Sequence, residues 1–318
     1  MLPFTRLGAK YLDLQLSTHE RVVIRIVERP ARWMSPEALQ QLVGDLQSVV
    51  AATLEQGSLA YGVVTGDRGR LENAILTVLY DRNTRRPVAF NALSILPVQL
   101  GGKEEEVLHL GLVMVDPGFR SQGLAWTLYG LTCLLTFVRQ QLRPIWISNV
   151  TQVPAVFGLV GEYFEDVFPS AKPGARRSYD HLVLAREIMR RYRQVFGVGR
   201  EAGFDEARFV ITNSYTGGSD NLKKRFDEAQ ASRFPAFNDM CRRELDYGRG
   251  DDFLQIGRWG LKTTHEYFVR TAPRISPVSL TLQFVFLALQ SFVAPLLCWL
   301  RADQAMGDLR PWREPRPR

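Results

Sequence analysis

Between Val113 and Val138 a short β-branched run, Val113-Met114-Val115, stops at Asp116-Pro117-Gly118, and an apolar stretch of helical length begins at Leu124. That pattern predicts a strand, a tight turn and a helix in immediate succession. The turn itself reads Arg120-Ser121-Gln122-Gly123-Leu124-Ala125. Small residues at Gly123 and Ala125 leave the unpaired backbone N–H groups of the helix start uncovered, so an anion can approach them closely. A phosphate group has the right charge and size for such a turn.

The 318 residues suffice for a sizeable core and exceed one minimal domain, so a domain with an extension is expected. A formal charge of +7 suits an anionic partner such as a nucleotide cofactor or a membrane surface. No zinc-finger spacing, basic heptad helix or aromatic RNA-binding signature accompanies it, and a nucleic-acid partner is not expected. Cys133, Cys241 and Cys298 are too widely spaced for a disulfide framework or a metal cluster, which fits a reducing compartment. The N-terminus lacks the apolar core and cleavage site of a secretion signal, so the expected location is cytoplasmic, with membrane association left open.

Along the chain, Arg21 to Val27 reads as a first strand, and Ser35-Pro36-Glu37 opens a helix whose apolar stripe runs from Leu39 to Val50. Leu71 to Tyr80 and Pro87 to Val98 form a predicted hairpin, and Val107 to Val115 forms a third strand leading into the turn. Ile145 to Val150 follows as a strand, and Pro154 to Phe168 as a helix. Asp180 to Phe196 and Leu222 to Leu245 read as helical insertions around a strand at Ala207 to Tyr215. Phe253 to Gly257 reads as the last strand of the sheet. Asn213 to Ser219 is a polar turn with the composition of a substrate loop or of an ordinary one.

The positions Val115, Pro117, Arg120, Gly123 and Ala125, in this strand-turn-helix setting, resemble motif A of the GNAT acyltransferase superfamily. The resemblance implies an α+β fold: a GNAT-type mixed, mostly antiparallel sheet flanked by helices, with a helical C-terminal extension. It divides the chain into an arm at 1–20, an acyltransferase domain at 21–260 with helical insertions near 180–205 and 219–250, and an extension at 261–318. It further implies acetyl-CoA or another acyl-CoA as co-substrate, an amine-bearing acceptor, and no metal. Arg120, Ser121, Gln122, Gly123, Leu124 and Ala125 would then hold the pyrophosphate. Leu112, Val113, Met114 and Val115 would line the acyl-pantetheine arm, with Asn149 on the facing strand.

Acyl transfer to an amine needs a polarised thioester carbonyl, a deprotonated amine and a protonated leaving thiolate. His109 shares strand parity with Gly111, Val113 and Val115 and is a candidate base, with Glu106 as its rival. Family members carry a tyrosine four residues after the alanine of Asn-x-x-Ala, where this chain has Leu159. The general acid is therefore open: Tyr163, one turn further on, is the candidate, and Tyr129 on the motif A helix is read as packing. A non-catalytic acyl-CoA-binding regulator is the rival function, and a membrane-associated long-chain or lipid N-acyltransferase is another.

The last feature is Ile275 to Leu300, which contains no charged residue. A helix over it would be about 39 Å long, enough for a hydrocarbon core of about 30 Å. Its serines, glutamines and Pro295 argue against a span, so the segment reads as transmembrane, interfacial, dimer-forming or buried, and some surface is expected to cover it.

Overall fold

The computed structural model describes residues 10–16, 21–54, 59, 62–119, 124–217, 219–271, 277–293 and 296. β1 (Asp13–Leu16) forms the edge of the sheet against β2 (Val22–Glu28). Ser35 then caps α1 (Pro36–Thr53), accepting a hydrogen bond from the Ala38 N–H at 3.3 Å, and the stripe from Leu39 to Val50 is buried. After the single turn α2 (Arg68–Leu71) come β3 (Ala74–Asp81) and the long β4 (Pro87–Leu100), antiparallel through the turn at 82–86. β5 (Lys103–Leu110) and β6 (Val113–Val115) both return along β4, and α3 (Leu124–Arg139) follows.

β7 (Ile145–Thr151) lies parallel to β5, with Val107 opposite Trp146 and Leu110 opposite Asn149. The predicted helix from Pro154 to Phe168 is shorter: α4 (Pro154–Tyr163) gives way to β8 (Glu165–Phe168). Next come α5 (Tyr179–Arg191), β9 (Gly203–Asp205), β10 (Val210–Thr212) and α6 (Pro235–Glu244). β11 (Asp252–Trp259) pairs with β7, β8 and β10, and α7 (Leu261–Thr271) and α8 (Pro277–Ala288) follow it.

The main path of the sheet runs β1-β2-β3-β4-β5-β7-β11-β10-β9. Among the described residues its only parallel neighbours are β5 and β7, so the fold class is α+β with a mixed, mostly antiparallel sheet flanked by helices. One face carries α3 and α8, which share an apolar cluster with Leu93, Leu108, Leu110 and Ile147. On the opposite face α1 covers Phe90 and Ala92, and α5 covers Leu96 and Val98 further along the same strand. Thr132 anchors α3 at mid-length, bonding Thr77 Oγ1 at 2.7 Å and accepting from Asn91 Nδ2 at 3.3 Å, all three buried.

Two further helix expectations change. The segment from Leu222 to Leu245 is helical only from Pro235, because proline has no N–H to donate and holds Phe234 in an extended conformation. In the stretch Ile275 to Leu300, α8 is followed by a π-helical turn over Leu289–Val293, and the positions near both ends lie outside the described residues. Phe286 and Leu287 are buried in the α3 cluster, so this helix belongs partly to the core. Its other side exposes Val278, Leu282, Val285 and Leu289, which nothing covers among the described residues. No helix among them is long and apolar enough to cross a membrane.

Candidate functional site

The third predicted strand is interrupted where the site is built. Along β4, Ser94 faces His109 but Asn91 faces Val113, so the register slips by one residue between β5 and β6. This is a β-bulge at Gly111 and Leu112, where one residue more is inserted than the partner strand matches. Gly111 is required there: a Cβ on it would sit 2.4 Å from the Ala92 carbonyl oxygen.

The bulge reverses the parity that alternation predicted. Leu108 and Leu110 point to the α3 face, and so do Val113 and Val115; Leu112 and Met114 pack on the α1 side. His109 points the other way from Val113 and Val115, against expectation. It stacks on Phe196 with ring centroids 4.9 Å apart, and its Nδ1 lies 3.0 Å from Ser148 Oγ.

Past the bulge, β6 and β7 separate. β7 pairs with β5 only as far as Asn149, then continues along β11, while β6 stays with β4. The Ala92 N–H donates to the Leu112 carbonyl at 2.9 Å and the Asp116 N–H to the Val88 carbonyl at 2.8 Å. Residues of even number therefore bond to β4, and the N–H and C=O of Val113 point to the opposite edge, where no strand pairs among the described residues. The result is a wedge between β6 and the end of β7, open at the strand edge and leading into α3.

Tyr129, on the second turn of α3, donates its hydroxyl to the Gly111 carbonyl at 2.6 Å. It thus ties the helix to the bulge, a role that the reading of it as packing did not capture. Asp116 ends β6; its Oδ1 accepts from the Gly118 N–H at 2.9 Å, and Arg86 Nη2 lies 2.9 Å from its Oδ2. The turn residues Arg120, Ser121, Gln122 and Gly123 lie outside the described residues, as do the side chains of Ala125 and Trp126. Leu124, the first residue of α3, is buried.

The other candidates are spread out. Glu106 is ion-paired to Arg29 at 2.8 Å and lies five residues before Gly111, about 16 Å along an extended strand. His109 is 2% exposed, and burial pushes its pKa down to about 3, so it stays neutral through the physiological range. Asn149 is buried and donates its amide to Gln255 Oε1 at 3.1 Å; Gln255 in turn donates to the carbonyls of Phe157 and Pro169. Tyr163 ends α4, about 14 Å from the first residue of that helix, and packs edge-on against Phe234. The wedge therefore gathers Leu112, Val113, Met114, Val115 and Asn149, whereas Glu106 and Tyr163 sit away from it.

Sequence reasoning passed over a second polar group at the same end of the sheet. Gln152, one residue beyond β7, and Asp252, the first residue of β11, are 1% and 2% exposed. Tyr215, from the polar turn 213–219, donates to Asp252 Oδ1 at 3.0 Å. The only hint in the sequence was that turn's composition, since Asp251-Asp252 reads as solvated polar residues before a strand.

No family model matches the chain, and no curated protein does. Among solved structures it is similar to the GNAT family N-acetyltransferase YhbS from Escherichia coli in complex with CoA. That similarity has 19% identity over 49% of this chain and 72% of that one, with a TM-score of 0.33. It is also similar to an acetyltransferase of Trypanosoma brucei, at 22% identity over 36% of this chain and 74% of the other, with a TM-score of 0.27. A third is the ribosomal-protein-S5-alanine acetyltransferase from Vibrio fischeri, at 14% identity, 43% and 74% coverage, and a TM-score of 0.29.

Proposed function

We propose that the protein is a CoA-dependent N-acyltransferase of the GNAT type, moving an acetyl or longer acyl group from acyl-CoA to an amine. The observation that carries this reading is the wedge between β6 and β7. Its strand edge offers the Val113 N–H and C=O without a pairing strand among the described residues. A pantetheine arm is a chain of amides, and it can fill such an edge as an extra strand would. The Val113 N–H is then placed to polarise a thioester carbonyl, at a backbone position fixed by the bulge before the substrate arrives. By the motif resemblance, Arg120 to Ala125, which follow this edge in the chain, would hold the pyrophosphate with backbone N–H groups and a cation.

Release of the thiolate needs no strong acid, since a thiol is far more acidic than an alcohol. Tyr163 packs in the core, and Tyr129 holds its hydroxyl at the bulge through its bond to the Gly111 carbonyl. Acetyl and longer acyl donors differ by what the apolar residues around Leu112 and Met114 admit. A role at a membrane or with a second copy of the chain falls to the exposed side of α8, whose apolar residues offer such a contact.

The test is release of CoA from acetyl-, butyryl- and palmitoyl-CoA in the presence of primary amines, alongside calorimetric titration. Gly123→Glu, which adds bulk and negative charge at the turn, is expected to weaken acyl-CoA binding by about 100-fold while the fold persists, and Arg120→Ala by about tenfold. Tight acyl-CoA binding with no transfer to any amine favours the regulator instead. Unchanged affinity in folded Gly123→Glu removes the turn from the site.

A further inference from the structure

Two buried side chains, Gln152 and Asp252, take facing positions at the end of β7, and one acceptor there, Gln152 Oε1, has no donor among the described residues. Phe253 faces Thr151, so Asp252 and Gln152 take the next cross-strand position, one residue past the ladder. Both lie on the α5 side of the sheet, because Val150, Leu254 and Ile256 on the same parity pack there. Gln152 Nε2 donates to the Leu222 carbonyl at 3.3 Å, which fixes the amide and leaves its Oε1 buried and without a partner. Such an acceptor is costly to bury unless something donates to it. Gln152 follows the last residue of β7, so the pair lies at the end of the strand where the wedge opens.

The surrounding loops are built rather than loose. Ser219 Oγ and the Gly217 N–H both donate to the Gly197 carbonyl, at 2.7 and 3.1 Å, and Tyr215 bridges to Val198. Tyr247 donates its hydroxyl to the Gln152 carbonyl at 2.7 Å. Tyr215 already donates to the Asp252 carboxylate, whereas the Gln152 amide oxygen facing it lacks a donor, a gap that a ligand N–H would fill.

We propose that Gln152 and Asp252 form the subsite for the acceptor amine, with Asp252 as the base that takes its proton. This rests on the acyl-transfer reading above. The ammonium loses one N–H proton to Asp252, the freed amine forms a C–N bond at the thioester carbonyl, and the C–S bond breaks. The second N–H proton of the attacking nitrogen passes through solvent to the leaving CoA thiolate, and Asp252 later returns its own proton to solvent. The charged or titratable groups set against Asp252 are Asp251, Tyr215 and Tyr247, and Arg249 answers Asp251 at 2.7 Å. Burial, as the largest cause, pushes the Asp252 carboxyl up to about 7, the range in which a base serves near neutrality.

The experiment uses the full chain, acetyl-CoA, and n-butylammonium and spermidine as amine probes, with the fold of each variant checked by circular dichroism. In titrations at pH 8 the wild type is expected to bind a probe, and Asp252→Asn and Gln152→Leu are expected to lose at least tenfold in probe affinity while keeping acetyl-CoA affinity within twofold. CoA release is expected to fall at least 100-fold in Asp252→Asn, with its acid limb near pH 7 gone. Tyr215→Phe, a milder change, is expected to shift that limb rather than abolish it. Equal probe binding in wild type and variants, or none by the wild type, overturns the subsite. So does an acid limb that persists in Asp252→Asn. Loss of acetyl-CoA binding by the wild type itself would instead overturn the acyl-transfer reading.

Discussion

Replacing Gly111 by alanine is expected to destabilise the protein by about 3 kcal/mol and to weaken acyl-CoA binding by about 100-fold. The new methyl group would meet the Ala92 carbonyl oxygen at 2.4 Å, well inside contact distance. That oxygen belongs to the central strand β4, whose backbone is bonded on both sides and cannot yield like the end of a side chain. The bulge must therefore move, and with it the Gly111 carbonyl that Tyr129 holds and the edge at Val113. Gly44→Ala is the contrasting case. A methyl group there has nothing within 4 Å, and α1 should gain about 0.5–1 kcal/mol from the better helix former. Urea midpoints for the two variants, with acetyl-CoA titration of each, check both signs.

The second large effect concerns His109 and acid. Its pKa is pushed down to about 3 by burial, against an ordinary 6.5 in the unfolded chain, so the unfolded state binds its proton first as the pH falls. The stability that depends on neutral His109 is complete above pH 6.5 and is lost progressively as the pH drops from there towards 3. The loss is on the order of 5 kcal/mol at the acid end. Asp252 runs in the opposite sense: its raised pKa favours the fold below about pH 4 and withdraws that contribution as the pH rises to 7. A His109→Gln variant removes the first dependence alone. The wild type should lose stability relative to it between pH 6 and pH 4, and parallel curves would show that His109 is not buried as a neutral ring.

Much of the fold was legible because local signals agreed with the packing. The Ser35 cap with Pro36, the hairpin from β3 to β4, and the passage from β6 to α3 are each written in a few adjacent residues, and each formed where expected. The bulge was not legible, since alternation assumes an unbroken strand. His109, Gly111 and Val113 share parity on paper, and the extra residue that separates their faces becomes visible only from the pairing with β4. β8 was hidden in a helical pattern because its ladder with β11 overrides local preference, a partner more than eighty residues away. The turn at Arg120 to Ala125 was legible as a motif, and its residues 120–123 lie outside the described residues. Asp252 was invisible for another reason. A pair of aspartates at a strand start is usually solvated, and only burial beside Gln152 and Tyr215 distinguishes Asp252.

The central claim is that the acyl-pantetheine arm lies along the open edge at Val113, and amide hydrogen exchange over residues 111–115 tests it most directly. With saturating acetyl-CoA, the Val113 amide is expected to slow by at least tenfold, while Met114, already bonded into β4, changes little. Acetyl-CoA that binds with the Val113 amide exchanging as before, or protection confined to another part of the sheet, would contradict the account.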